Sequence, residues 1–173
     1  MATIEIRPVR PDEFVQAGRV TARAYEEFAP PEKPQWQAYL QRIADVAGRA
    51  GRAAVLVAIV EGAIAGTVSI ELDHHIEPDW EDPVGPDRAH LRMLGVDPEF
   101  RRRGVGRALV EASIDFARAH ARSRLTLETT EPMRAAQAMY ESMGFTPAGR
   151  EEWEPGLTFL RYELPLQPAA ATS

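Results

Sequence analysis

Apolar and polar residues alternate from Thr3 to Val9 (TIEIRPV), the two-residue period of a strand with one buried face. Pro11-Asp12-Glu13 then supplies a helix start, and Phe14, Gly18, Thr21, Tyr25 and Phe28 recur at helical spacing behind it. The segment APPEKP breaks that helix, and Trp36, Leu40, Ile43 and Ala47 form a second stripe ending near Gly48 to Gly51. The runs AAVLVAIV and AIAGTVSIEL, separated by Glu61-Gly62, predict a two-stranded hairpin, with residues 73–87 as a loop. AHLRMLGV reads as a strand, followed by the loop DPEFRRR and a helix from about Gly104 to Ala121. In that helix Val105, Leu109, Ala112 and Phe116 are the expected buried face, and Glu111, Asp115, Arg118 and Arg122 the exposed one. RLTLETT predicts another strand, Pro132 to Met143 a helix stopped by Gly144, and FTPAGR and LTFLRYEL the last two strands.

With 173 residues and 45% hydrophobic composition, the chain fits one domain, expected over 1–166, with residues 167–173 (QPAAATS) a disordered tail. No apolar run approaches the roughly 18 residues of a membrane span, and MATIEIRPVR lacks the apolar core of a secretory signal, so a cytoplasmic protein without membrane contact is expected. With no cysteine, and four histidines that form no HxxxH or HExxH pair, no metal site is expected. Adjacent His74 and His75, beside Asp73 and Glu77, point to opposite sides if extended. A net charge of -6 argues against broad nucleic-acid binding, which needs Lys and Arg spread over a face.

Against that acidic background stands RRRGVGR, Arg101 to Arg107, four arginines around two glycines between a predicted strand and a predicted helix start. Orphan helix N–H groups and the helix dipole attract an anion there, and glycines let a phosphate reach the backbone. The loop is neither a GxxxxGK[ST] phosphate loop nor a full GxGxxG, and on these residues alone a solvated basic turn stands beside the diphosphate site.

The longer stretch VDPEFRRRGVGRALVEASIDFA resembles the acyl-CoA-binding motif of the GNAT family (GCN5-related N-acetyltransferases), roughly V-x-P-x-x-R/Q-x-x-G-x-G/A, through Val96, Pro98, Arg101, Gly104 and Gly106. AAQAMYESMGF, Ala135 to Phe145, resembles the family's A-x-x-L-Y-x-x-x-G-F segment, with Met139 in place of Leu. The resemblance implies an α/β (α+β) fold: a mixed, mostly antiparallel sheet of about seven strands flanked by about four helices, splayed between the fourth and fifth strands. It implies acetyl-CoA as co-substrate and no metal. Leu94, Gly95 and Val96 would pair with the pantetheine arm, and Arg102, Arg103, Gly104, Val105, Gly106 and Arg107 would surround the pyrophosphate, with Arg101 leading the motif. Many members carry Asn seven residues before the helix tyrosine, where this chain has Met133.

The implied activity is N-acetyl transfer to a primary amine by direct attack in a ternary complex; an idle acyl-CoA-binding module of the same fold is the alternative. Tyr140 matches the family's general acid, against a reading in which it only packs on a helix face. His90 is the candidate base, since its ordinary pKa of about 6.5 suits proton removal near neutrality, against a reading as a satisfied buried histidine. Glu128 and Glu71 are weaker candidates, as carboxylates at strand ends are often solvated. Tyr25, Phe28 and Trp36 would line an acceptor pocket or the core. The acceptor is expected to be a small-molecule or peptide amine, with a cationic preference suggested by Asp73, Glu77, Asp79, Glu81, Asp82 and Asp87. Nucleic acid is not an expected partner, and monomer and homodimer both stay open.

Overall fold

The structure, a computed structural model, describes residues 2–29, 32–76 and 84–167. The expected disordered tail beyond residue 167, and Glu77, Asp79, Glu81 and Asp82 of the acidic loop, lie outside the described residues.

One sheet holds β1 (Ile4–Pro8), β2 (Ala54–Val60), β3 (Ala63–Glu71), β4 (Arg88–Val96), β5 (Arg124–Thr130), β6 (Thr146–Glu154) and β7 (Leu157–Pro165), in the order β1-β2-β3-β4-β5-β7-β6. Neighbours are antiparallel except β4 and β5, which run parallel. The hairpin of β2 and β3 turns at Glu61-Gly62, both with positive φ, the backbone a tight two-residue turn needs.

The helices among the described residues are α1 (Phe14–Tyr25), α2 (Pro34–Ala44), α3 (Val46–Ala50), α4 (Val105–Ala119) and α5 (Arg134–Ser142), five instead of about four. The extra one arises at Asp45, which leaves the helical conformation (ψ 76°) and caps a new helix by accepting from the Gly48 N–H at 2.9 Å. α1 and α3 bury Ala17, Val20 and Val46 against Val55, Val57 and Ile64 on one face of the sheet. α4 and α5 bury Val105, Leu109, Val110, Ala117 and Tyr140 against Leu56, Val68, Ile70, Leu91, Leu125 and Leu127 on the other. Full burial of each Leu or Val contributes about 1.5–3 kcal/mol. Within α4 the buried stripe runs through Val110, Ser113 and Ala117, while Ala112 and Phe116 are only half-buried. Ser113 tolerates burial because its hydroxyl donates to the Leu109 carbonyl at 2.8 Å. Arg118 and Arg122, expected on the exposed side, are half-buried, and Arg122 pairs with Asp73 at 2.8 Å.

The sheet divides in the middle. β4 pairs with β5 only from Arg88–Leu91 to Arg124–Leu127. Beyond that, β5 stays with β7 (Glu128 opposite Arg161, Thr130 opposite Phe159), while β4 stays with β3 (Gly95 opposite Thr67). A bulge between Arg92 and Gly95 leaves Met93 and Leu94 without a partner residue in either neighbouring strand, and Met93 has φ of 53°. Gly95 allows α1 to lie against this bend, since a Cβ there would sit 2.8 Å from the Ala24 Cβ.

Candidate active site

The arginine loop leaves β4 through Asp97, whose N–H donates to the Ala65 carbonyl at 2.8 Å and whose carboxylate accepts from Glu99 N–H at 3.0 Å and Arg23 at 3.1 Å. Gly104 caps α4 in the left-handed region, φ 82°, where a side chain would be strained. Ala108 is the first residue whose N–H reaches a helix carbonyl, that of Gly104 at 3.0 Å. The amides of Val105, Gly106 and Arg107 come before it, at the positive end of a 15-residue helix.

The four arginines do different things. Arg101 is committed to the protein: it pairs with Glu27 at 2.6 Å and donates to the Ala24 carbonyl at 3.3 Å, tying the loop to the end of α1. Arg103 stacks on Phe100 with its guanidinium 5.3 Å from the ring centre, lies 4.0 Å from Glu61, and does not line the cleft described next. Arg107 donates to the Ser142 hydroxyl at 2.8 Å. Arg102, exposed with φ 64°, makes no ion pair among the described residues.

A cleft of about 710 Å³ runs from this loop through the gap between β4 and β5. Its walls include Leu94, Gly95, Val96, Arg101, Arg102, Gly104, Val105, Gly106 and Arg107, and also His90 and Tyr140, so the predicted site residues other than Arg103 share one space. Tyr25 and Phe28 line it as well, whereas Trp36 stands behind, packed edge-on against Tyr39 at 5.7 Å.

Tyr140 is 4% exposed, between Phe145 and Tyr162 at 5.6 and 6.1 Å. Its hydroxyl has no hydrogen-bond partner among the described residues, and burial raises its pKa above the ordinary phenol value. His90 is buried on β4, its Nδ1 2.7 Å from the Thr126 hydroxyl. Desolvation, helped by Arg88, His75 and Arg161, pushes its pKa down to about 3, so the imidazole is neutral at every working pH. When the Thr126 hydroxyl donates to the Ala89 carbonyl at 3.4 Å, it accepts from His90 Nδ1–H and leaves Nε2 as an acceptor.

Glu128 lines the cleft but is held by Arg161 at 2.9 Å. Glu71 is fully buried, contrary to the solvated strand end expected of it: His75 Nδ1 lies at 3.2 Å, Ile76 N–H donates to its second oxygen, and Arg92 lies at 3.8 Å. His74 is exposed and His75 buried, and no cluster of three or more potential metal ligands occurs among the described residues. At Met133, the position for which the resemblance implies Asn, the thioether takes a 3.5 Å contact from the Thr129 hydroxyl. Gln137 fastens α5 to the end of β5, donating to the Thr130 and Glu131 carbonyls at 2.9 Å.

Sequence reasoning missed Arg92, Tyr39 and Arg134, which also line the cleft. Arg134 carried a readable signal: a cation in the first turn of a helix opposes the dipole unless an anion lies near. Arg92 and Tyr39 carried none, because strands and helices far apart in sequence bring them together.

A sequence model of the Acetyltransferase (GNAT) family matches residues 21–145. The N-acetylaspartate synthetase of Danio rerio is 35% identical over 107 residues, 59% of this chain and 33% of that protein. The [ribosomal protein bS18]-alanine N-acetyltransferase of Escherichia coli K12 is 44% identical over 62 residues, 36% of this chain and 42% of that protein. The chain thus spans well under two thirds of the length of these curated relatives. Among solved structures, the ribosomal-protein-S18-alanine N-acetyltransferase of Escherichia coli superposes with a TM-score of 0.71 at 24% identity, covering 99% of both chains. An acetyltransferase of Salmonella typhimurium, solved with its cofactor acetyl-CoA, gives 0.68 at 19% identity over 98% of both chains. Matched over more than half its length, the chain belongs to the acetyltransferase (GNAT) family.

Proposed function

We propose that this protein is an acetyl-CoA-dependent N-acetyltransferase that acylates a primary amine by direct attack in a ternary complex. The observation that carries the reading is a single cleft with an anion-binding helix start at one end and a buried, unpartnered tyrosine hydroxyl inside. The residues fit the co-substrate. The Val105, Gly106 and Arg107 amides, with Arg102 and Arg134, would hold the pyrophosphate, and the edge of β4 that β5 leaves at Leu94 to Val96, where the Tyr25 hydroxyl donates to the Leu94 carbonyl at 2.9 Å, would receive the pantetheine amides. When bound, acetyl-CoA supplies a thioester carbonyl.

Each residue then has a stated task. An N–H of the β4 bulge would donate to the carbonyl oxygen as it becomes negative. Tyr140, protonated throughout the working range, would donate to the departing sulfur. The C–N bond forms, the C–S bond breaks, the sulfur gains a proton and the amine loses one. His90 would accept the amine proton's hydrogen bond through Nε2, directly or through water. At a pKa of about 3 it is a weak base, so the amine must arrive already neutral. The relatives' names point to primary amines in different settings, one for making N-acetylaspartate, another for acetylating an alanine of ribosomal protein bS18.

The test is release of free thiol from acetyl-CoA across an amine panel. Tyr140→Phe should lower kcat by about a hundredfold or more with CoA affinity nearly unchanged. No thiol release above hydrolysis with any amine, together with intact CoA binding, would leave the idle module instead.

A further inference from the structure

The bulge of β4 is held from outside the sheet. The Asp97 N–H donates to the Ala65 carbonyl at 2.8 Å, and Val96 and Gly95 stand opposite Gly66 and Thr67 in the same register. Hydrogen-bonded and non-bonded pairs alternate along an antiparallel ladder, so Gly95 turns its N–H to Thr67. A trans peptide sends its C=O and N–H opposite ways, and the Leu94 carbonyl therefore points away from β3, into the gap that β5 leaves. There the Tyr25 hydroxyl, at the end of α1, donates to it at 2.9 Å. Desolvation, helped by Tyr39 and Tyr140, holds the Tyr25 pKa well above the ordinary phenol value, so the hydroxyl keeps the proton it donates. Tyr25 and Leu94 both line the cleft. A carbonyl oxygen has two lone pairs, so Leu94 can still accept from a second donor.

Two observations give this bond a task. Met93, one residue earlier, has φ of 53°, a left-handed backbone that a non-glycine residue keeps only where its surroundings hold it. The pairing of Arg92 with Ser69 fixes the bulge on one side, and Tyr25 fixes it on the other. The end of α1 is itself anchored. Thr21, one turn back on the same face, has its hydroxyl 2.6 Å from that of Thr67 and 2.9 Å from the Ala17 carbonyl, and the Ala24 carbonyl accepts from Arg101 at 3.3 Å. A phenol carried on an anchored helix is a preorganised donor. The cleft thus holds two tyrosine hydroxyls with different commitments: that of Tyr25 is bound to the backbone, while that of Tyr140 has no partner among the described residues.

We infer that Tyr25 is a positioning residue: its hydroxyl, through the Leu94 carbonyl, sets the β4 bulge so that a backbone N–H there meets the thioester carbonyl oxygen. The inference rests on the acetyltransferase reading and deepens it. Loss of the hydroxyl leaves the α4 amides and the arginine loop in place while the bulge relaxes, which lowers kcat more than affinity.

The experiment compares wild type, Tyr25→Phe and Thr21→Val. Isotope-edited infrared spectroscopy of acetyl-CoA labelled at its thioester carbonyl reads the hydrogen bond to that oxygen in the binary complex, with no acceptor present. Calorimetry reads CoA affinity, and thiol release across the amine panel reads kcat and KM. On binding to wild type the carbonyl stretch should move to lower frequency. Tyr25→Phe should return it most of the way to the free value and lower kcat about tenfold, with CoA affinity within about twofold. Thr21→Val, which breaks the buried hydroxyl pair, should lower Tm but keep both the stretch and kcat. A stretch that does not move in wild type overturns the inference without any variant having to fold. So does a stretch and kcat unchanged in Tyr25→Phe, or lost equally in Thr21→Val, which would mean a general loosening of α1. A stretch that depends on Tyr25, with no thiol release from any amine, keeps the positioning of the thioester and overturns the transferase reading. Thiol release with a stretch indifferent to Tyr25 does the reverse, and acetyl-CoA that does not bind overturns both.

Discussion

The buried His90 should make the fold acid-sensitive well above the range in which carboxylates titrate. Its pKa of about 3 in the folded protein compares with about 6.5 in an unfolded chain, so the unfolded state binds the proton more readily. The sign follows from that order. Above about pH 6.5 both states are neutral at this site and there is no cost, between about 6.5 and 3 the unfolded chain gains a proton the folded one refuses, and below about 3 the cost is complete. At about 1.36 kcal/mol per unit, the full difference is of order 5 kcal/mol, and at about pH 5 the part already lost is about 2 kcal/mol. For a chain of this length that corresponds to a fall in Tm of roughly 4–8 °C between about pH 8 and pH 5.

The assay is thermal unfolding of wild type and His90→Gln over that interval, the variant keeping a polar group near Thr126 without a titrating ring. Other groups depart from their ordinary values lower down: Glu13, hydrogen-bonded by Arg7, is held down to about 2, and Asp87 is lowered by Arg124. Their stabilisation is lost only as pH falls below the ordinary carboxylate range, so the window above about pH 5 isolates His90. The variant's Tm should change less with pH than the wild type's by the amount above. Parallel curves would refute the reasoning and mean that water or a rearranged loop solvates the imidazolium.

The same neutrality predicts that kcat/KM will rise with pH along the acceptor's own ammonium titration, with no limb near 6.5; a limb there that disappears in His90→Gln would restore a strong base. Gly106→Val should weaken CoA binding by about tenfold in a folded protein, measured by calorimetry, because a Cβ there already meets Met139 Sδ at 3.4 Å and Val96 Cγ2 at 3.5 Å. Gly95→Val should cost about 1–3 kcal/mol of stability, read from denaturant unfolding, since its Cβ would press on Ala24; an unchanged midpoint would mean α1 moves aside freely.

The central strands were legible as continuous apolar runs because both of their faces are buried, Val55 and Val57 on the α1 side and Leu56 and Ala58 on the α4 side. Size misled where geometry ruled. Phe116 looked like full core, yet it sits a step around the helix from Ser113 and Ala117, half-buried at the margin of the core with His120 stacked on it at 4.2 Å. The β4–β5 gap was anticipated from resemblance, whereas its local causes, the bulge at Met93 and the pairing limit at Leu91, leave no mark in the residue types.

The arginines show the limit of a sequence motif most directly. Arg101, Arg102, Arg103 and Arg107 read as one basic cluster, yet only Arg102 has no partner among the described residues, while Arg101 spends its guanidinium on Glu27 and the end of α1. That division makes physical sense. Four free cations around one diphosphate would repel one another before it arrived, whereas a loop fastened by Arg101 holds the α4 amides in place without moving charge on binding. Conservative Arg→Lys changes should therefore separate the two kinds: at Arg101 the lost fork geometry should lower stability more than CoA affinity, and at Arg102 CoA affinity more than stability.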